Sequence, residues 1–217
     1  MKPMLKVRSS LLIALVLAFS VCAEDSKLLY ENNFEKAEID KVPDDFLVLD
    51  GDFNVKQEGP NRVFELPGAP LDTFGALFGS TEKDGVIVSA RVYAKSKGRR
   101  FPTFGVGLNG AGGYRLQVSP AKKALELYHG EAIRAAVPYD WQSDQWTVLR
   151  LQVRKVKEGQ WKVEGKAWPQ NGNEPEWLLA AEEKETPQAG RASIWGSPYA
   201  GTPIQYDDLV VRSVVEK

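Results

Sequence analysis

The chain has 217 residues, with 28 Lys and Arg against 29 Asp and Glu, and its net charge of −1 gives no electrostatic footprint for nucleic acid or an anionic membrane surface. A single cysteine excludes a disulfide framework, and one histidine beside it cannot furnish the usual zinc ligand set. An apolar content of 43% with six Trp is enough to build one core by packing alone.

The first residues are expected to be a targeting segment rather than part of the fold. Lys2, Lys6 and Arg8 form a basic start, Leu11 to Val21 is an apolar run, and Val21-Cys22-Ala23 supplies small residues for cleavage after Ala23. This predicts a signal peptide over 1–23 and a secreted or periplasmic protein. Lipidation at Cys22 is the alternative, although Phe19-Ser20-Val21 lacks the leucine and the small residue of a lipoprotein signal. The apolar run is short for a membrane span, and no other stretch approaches the roughly 20 apolar residues that a span needs. The remainder, 24–217, is expected to be one domain; without the three basic residues its charge falls from −1 to −4, and it contains no cysteine.

From Lys27 onward, short runs of β-branched and aromatic residues alternate with Gly, Pro, Asn and Asp. Leu28 to Phe34 reads as a first strand. Phe46 to Leu49 and Phe53 to Lys56 flank Asp50-Gly51-Asp52 and are expected to form a hairpin. Arg62 to Leu66 ends at Pro67-Gly68, and Thr73 to Phe78 ends at Gly79-Ser80. Val86 to Ala94 is the longest strand of the first half, with Val86, Val88, Ala90, Val92 and Ala94 on one face. Lys95, Lys97, Arg99 and Arg100 then form a basic run that reads as a solvated hairpin end. Phe101 to Leu108 and Tyr114 to Val118 are joined by a glycine-rich turn, and Ala124 to Tyr128 and Ala132 to Val137 flank His129-Gly130. Trp146 to Val153 and Trp161 to Trp168 alternate around Lys157-Glu158-Gly159. Trp177 to Ala181, Ala192 to Trp195 and a terminal strand ending at Val214 complete the set. The spacing predicts an all-β, two-sheet antiparallel β-sandwich of about 12 to 14 strands, with the last strand paired to the first.

Several of these features together resemble laminin-G-like, concanavalin A-like jelly-roll domains of exported bacterial proteins. They are the first strand ending in Asn33-Phe34, the Trp146 to Val153 strand, the return strand ending at Trp168-Pro169, the Pro175-Glu176-Trp177 corner, Gly190 to Trp195, and the closing Tyr206-Asp207-Asp208-Leu209-Val210-Val211. The resemblance implies a fold shared by lectins, carbohydrate-binding modules, glycoside hydrolases and adhesion domains, so it leaves activity open.

The residues themselves argue against catalysis. A retaining glycosidase of this fold presents Glu-x-Asp-x-x-Glu on one strand, whereas Glu38-Ile39-Asp40 is followed by Lys41-Val42-Pro43 in a charged, loop-like segment. His129 precedes Gly130 at a turn, with no nucleophile motif beside it. Structural calcium is a possible cofactor: in folds of this kind Asp207 or Asp208 of the last strand can join Glu31 and Asn33 of the first, one Asp only if the strand is regular. Sugar binding needs aromatic platforms with polar partners. Tyr114, Tyr139, Trp141, Trp195 and Tyr199 are the candidate platform, with Arg91, Arg115 and Asn109 as polar groups; Trp146, Trp161, Trp168 and Trp177 are assigned to packing. The expected function is an exported, non-catalytic binding module for carbohydrate or another extracellular polymer. The alternatives are a polysaccharide hydrolase or lyase of the same fold and a structural domain with envelope protein partners.

Overall fold

The computed structural model describes residues 26–68, 72–199 and 201–214; the expected signal peptide lies outside the described residues. Fifteen strands follow in chain order: β1 Leu28–Asn32, β2 Leu47–Asp50, β3 Asn54–Glu58, β4 Asn61–Leu66, β5 Phe74–Glu82, β6 Val86–Ala94, β7 Thr103–Leu108, β8 Tyr114–Ser119, β9 Ala124–His129, β10 Ala132–Pro138, β11 Gln145–Lys157, β12 Gln160–Pro169, β13 Leu179–Glu183, β14 Gly190–Ser197 and β15 Ile204–Ser213. One 3₁₀ turn, Pro120–Lys122, is the only helical element among the described residues, and no helix there is long and apolar enough to cross a membrane.

The strands form two antiparallel sheets. The eight-stranded sheet runs β13-β12-β11-β6-β15-β4-β3, with β1 also on β15; the seven-stranded sheet runs β10-β9-β8-β7-β14-β5-β2. In β6 the alternation is complete: Val86, Val88, Ala90, Val92 and Ala94 are buried and the residues between them are not. The core lies between the sheets, with Leu149, Leu151 and Val153 of one facing Leu116, Val118, Leu125 and Leu127 of the other.

As expected, β1 pairs with β15, Glu31 opposite Val210 and Asn32 opposite Leu209. On the same flank, β4 pairs only with Ile204, Gln205 and Tyr206. The switch of neighbour falls at Asp207 and Asp208, where the β6 register slips and Asp208 has φ 47°. Beyond β1 the chain caps one end of the sandwich. Asn32 Oδ1 accepts the Phe34 N–H at 2.8 Å, and Phe34 and Phe46 then insert against Phe64, at centroid distances of 5.5 and 4.7 Å.

The expected hairpin at 46–56 does not form. β2 pairs with β5 in the seven-stranded sheet, while β3 pairs with β4 in the other, so the turn at Gly51 (φ 98°) carries the chain across the sandwich. Phe46, Phe53 and Val55 enter the core from the two sides of that crossing.

Candidate functional site

The outer face of the seven-stranded sheet is set by register. One row across it reads Glu126, Gln117, Gly105, Trp195 and Gly75, from β9 to β5. The next reads Tyr128, Arg115, Gly107, Ser193 and Leu77. Glycine in both rows of β7 leaves a furrow, and the neighbouring side chains close over it. The Arg115 guanidinium lies 4.8 Å from the Tyr128 ring centre and 5.3 Å from that of Trp195, so it is held between two aromatic rings. Trp195 lies over Gly75 and anchors its indole N–H on Ser193 Oγ at 2.8 Å.

Toward the end of the sheet this face opens into a cleft of about 880 Å³. Its floor is Thr103, Gln117 and Ser119, from β7 and β8, and its walls include Phe101, Tyr199, Arg99, Arg100 and Lys122. Phe101 and Tyr199 are 36% and 44% exposed, large apolar surfaces left open to solvent beside strand-borne hydroxyl and amide groups.

One carboxylate stands next to this floor. Glu126 is buried and accepts hydrogen bonds from Ser119 Oγ at 2.5 Å, Lys122 Nζ at 2.9 Å and Tyr128 Oη at 3.0 Å. Burial works to raise its pKa, but the three donors outweigh it, so the carboxyl titrates below its ordinary range and stays ionised at neutral pH. Tyr128 is correspondingly raised, by burial first and then by its bond to Glu126.

The other residues proposed from sequence lie elsewhere. Trp141 is 8% exposed and packs edge-on against Phe104 at 5.9 Å within the core. Tyr114 is buried against His129 at 4.5 Å, and Tyr139 packs beside the core, its pKa pushed up to about 12 by burial. Asn109 is buried, with its amide on the Lys83 and Gln188 carbonyls at 2.6 and 2.7 Å, a turn-fixing role. Only Trp195, Arg115 and Tyr199 of the proposed platform reach the seven-stranded face or its cleft. Tyr128, Glu126, Gln117 and Ser119 were missed; their alternation was visible, but not the register that brings them together. Glu38 and Asp40 lie in an exposed loop, each paired with a lysine, Lys41 at 2.7 Å and Lys56 at 2.5 Å.

Arg91 lies on the outer face of the eight-stranded sheet, over Trp146 at 4.8 Å, and binds Asp207 at 2.5 Å and Asp208 at 2.7 Å. Because of the bulge the two aspartates do not diverge, as a regular strand would require; both reach the same guanidinium. Asp207 also accepts the Asn61 amide at 2.7 Å and the Asp208 N–H at 2.7 Å. Glu31, Asn33 and Asp208 line a cleft of about 400 Å³, while Arg91 holds one oxygen of each aspartate, Oδ2 of Asp207 and Oδ2 of Asp208. No group of three or more His, Cys, Asp or Glu among the described residues is arranged for a metal. Other charges on this outer face are paired with one another: Arg154 and Lys162 on Glu164 at 2.9 and 2.7 Å, and Arg150 and Lys166 on Glu174.

Comparison with solved structures places this geometry. The Emp46p carbohydrate recognition domain in its metal-free form superposes with a TM-score of 0.58 at 11% identity, over 87% of this chain and 97% of that one. The fold is a concanavalin A-like jelly roll. The carbohydrate-binding module CBM66 from Bacillus subtilis is similar at TM-score 0.54 and 10% identity, over 78% and 96% of the two chains. The catalytic domain of a glycoside hydrolase family 131 protein from Coprinopsis cinerea is similar at TM-score 0.53 and 9% identity, over 85% and 94%. No protein-family model matches the sequence, and no curated protein does. The larger cleft lies at the seven-stranded sheet, beside exposed aromatic side chains, while the outer face of the other sheet carries one of about 390 Å³ beside Arg150, Gln152 and Arg212.

Proposed function

We propose that the protein binds a carbohydrate polymer in the cleft at the end of the seven-stranded sheet, without covalent chemistry. The observation that carries this reading is the pairing of two exposed aromatic walls, Phe101 and Tyr199, with a floor of Thr103, Gln117 and Ser119. A pyranose presents an apolar face of C–H bonds and a polar rim, and this arrangement meets both. The neighbouring row, with Trp195 and Arg115 locked together, is a rigid shoulder along which a polymer can continue.

Binding is favoured over hydrolysis by the acid inventory. Glycoside hydrolysis by two carboxyl groups needs a partner pair about 5 to 10 Å apart, one of them protonated. Among the described residues none that lines the cleft is a carboxylate, and the adjacent Glu126 is held ionised by three donors. The carbohydrate-binding proteins among the structural neighbours agree with this reading, and the family 131 domain keeps hydrolysis as the outcome to be tested.

A glycan-array screen with the purified protein, followed by overnight incubation of each hit and assay of new reducing ends, tests both. Binding without release is expected. Phe101→Ala with Tyr199→Ala should weaken a hit by about tenfold or more, the scale of losing an interfacial aromatic anchor. Release of reducing ends, or binding indifferent to both substitutions, contradicts the proposal.

A further inference from the structure

We propose that the polymer bound in this cleft is anionic, carrying carboxylate or sulfate groups on its sugars. This rests on the carbohydrate reading above and adds the charge class of the ligand. Its basis is the state of Arg99 and Arg100. Both line the cleft, and among the described residues neither guanidinium makes an ion pair or a hydrogen bond. Among the described residues that line the cleft there is no Asp or Glu.

Many arginines of the sheets are engaged within the fold. Four are matched with acids, Arg91 with Asp207 and Asp208, Arg134 with Glu183, Arg150 with Glu174 and Arg154 with Glu164, and Arg62 and Arg191 donate to backbone carbonyls. Even Lys122, in the same cleft, is paired with Glu126 at 2.9 Å. In a chain whose acids outnumber its bases, two adjacent arginines left without a partner beside two exposed aromatic walls form a recognition surface for negative charge.

The backbone holds them in position. Lys97 and Arg100 exchange backbone hydrogen bonds, at 3.0 and 3.1 Å, closing a tight turn in which Gly98 takes φ 61°. The run of basic residues is therefore a fixed hairpin tip rather than a loose loop. A planar guanidinium offers paired N–H donors that match the two oxygens of a carboxylate or sulfate, while a neutral sugar hydroxyl gains little from the charge.

The test compares polygalacturonate with its carboxyl-reduced form, and dextran sulfate with dextran, by dissociation constants of the full chain at low and moderate salt. At least one charged polymer should bind about tenfold or more tightly than its uncharged counterpart, and the difference should shrink with added salt. Arg99→Gln with Arg100→Gln should erase that difference while leaving the circular dichroism spectrum unchanged. Whichever charged polymer binds identifies the group, carboxylate or sulfate. Equal binding of charged and uncharged polymers, or no effect of the arginine substitutions, overturns the inference and leaves the carbohydrate reading standing. Charged-polymer binding that ignores Phe101→Ala with Tyr199→Ala overturns the carbohydrate reading and the inference built on it. Binding of none of the four polymers overturns the inference as well.

Discussion

Replacing Gly75 by Ala tests whether Trp195 is held down on the sheet as described. A Cβ at this position would lie 2.8 Å from two atoms of the Trp195 six-membered ring and 3.2 Å from a third. Carbon atoms settle about 3.5 to 4 Å apart, so the ring must move outward by roughly 1 Å. That shift stretches the Trp195 Nε1 to Ser193 Oγ bond from 2.8 Å to the limit of hydrogen bonding. Loss of the bond costs about 1 kcal/mol, and the crowding adds about 1 more at a partly exposed site with room to relax. Gly75 is not among the glycines with a left-handed φ, so the penalty is steric and not conformational. The total of about 2 kcal/mol should lower the melting temperature by roughly 4 to 8 °C in a chain of this size. Thermal denaturation of Gly75→Ala, Trp195→Ala and the double variant gives a double-mutant cycle. With the ring removed, the Gly75→Ala penalty should fall to a few tenths of a kcal/mol. An undiminished penalty in the Trp195→Ala background would refute the packing argument.

Three further outcomes follow from the fold. Trp141→Phe should cost less than about 1.5 kcal/mol, since it removes an indole N–H that has no partner in the core, whereas Trp141→Ala should cost about 3 to 5 kcal/mol; urea denaturation midpoints measure both, and equal costs would contradict its role as core filling. Arg91→Ala strands the buried Asp207, which is 1% exposed, and should destabilise the protein by about 3 to 5 kcal/mol, with Asp207→Asn recovering part of the loss; a change under 1 kcal/mol would mean the pair is not structural. Glu126, Glu164 and Glu174 are each pushed upward by burial but held below their ordinary pKa by their donors. The unfolded chain therefore binds protons at these groups before the folded one does, so their contribution is present above about pH 4.5 and is lost as pH falls through their folded pKa values. Asp207, raised by burial, acts in the opposite sense. Urea midpoints should hold near neutrality and fall below about pH 4.5, less steeply in Glu126→Gln; a midpoint that rises on acidification would contradict the sign.

Much of the architecture was legible because strand burial has a period of two. Val86 to Ala94 shows this most plainly, and the pairing of the first strand with the last followed from the apolar composition of both ends. The 46–56 segment was misread because an Asp-Gly turn between two short apolar runs looks the same whether the chain folds back within a sheet or crosses to the opposite one. The choice is made by what pairs with each run, β5 on one side and β4 on the other, and that is long-range information. The aromatic platform was only partly legible for a similar reason. Trp141 and Trp195 both sit near turns, but one is turned inward against Phe104 and the other outward over a glycine of β5, distant in sequence but adjacent in the sheet. Arg99 and Arg100 read as a charge run, and only the fold sets them in the wall of the cleft rather than on an open surface. The divergence expected of Asp207 and Asp208 assumed a regular strand; the bulge, required where β15 exchanges β4 for β1, cancels it.

The position of β15 also governs when this protein can fold. It is the last of the described strands in chain order, yet it lies inside the eight-stranded sheet, hydrogen-bonded to β6 on one flank and to β4 and β1 on the other. Until it arrives, β6 has an open edge and the N-terminal strands β1, β3 and β4 have no link to the rest of their sheet. Vectorial synthesis thus yields two unsealed halves, and a chain with such non-local pairing closes late and slowly. Loss of β15 would divide the sheet rather than trim its rim, which makes this strand the clasp of the domain.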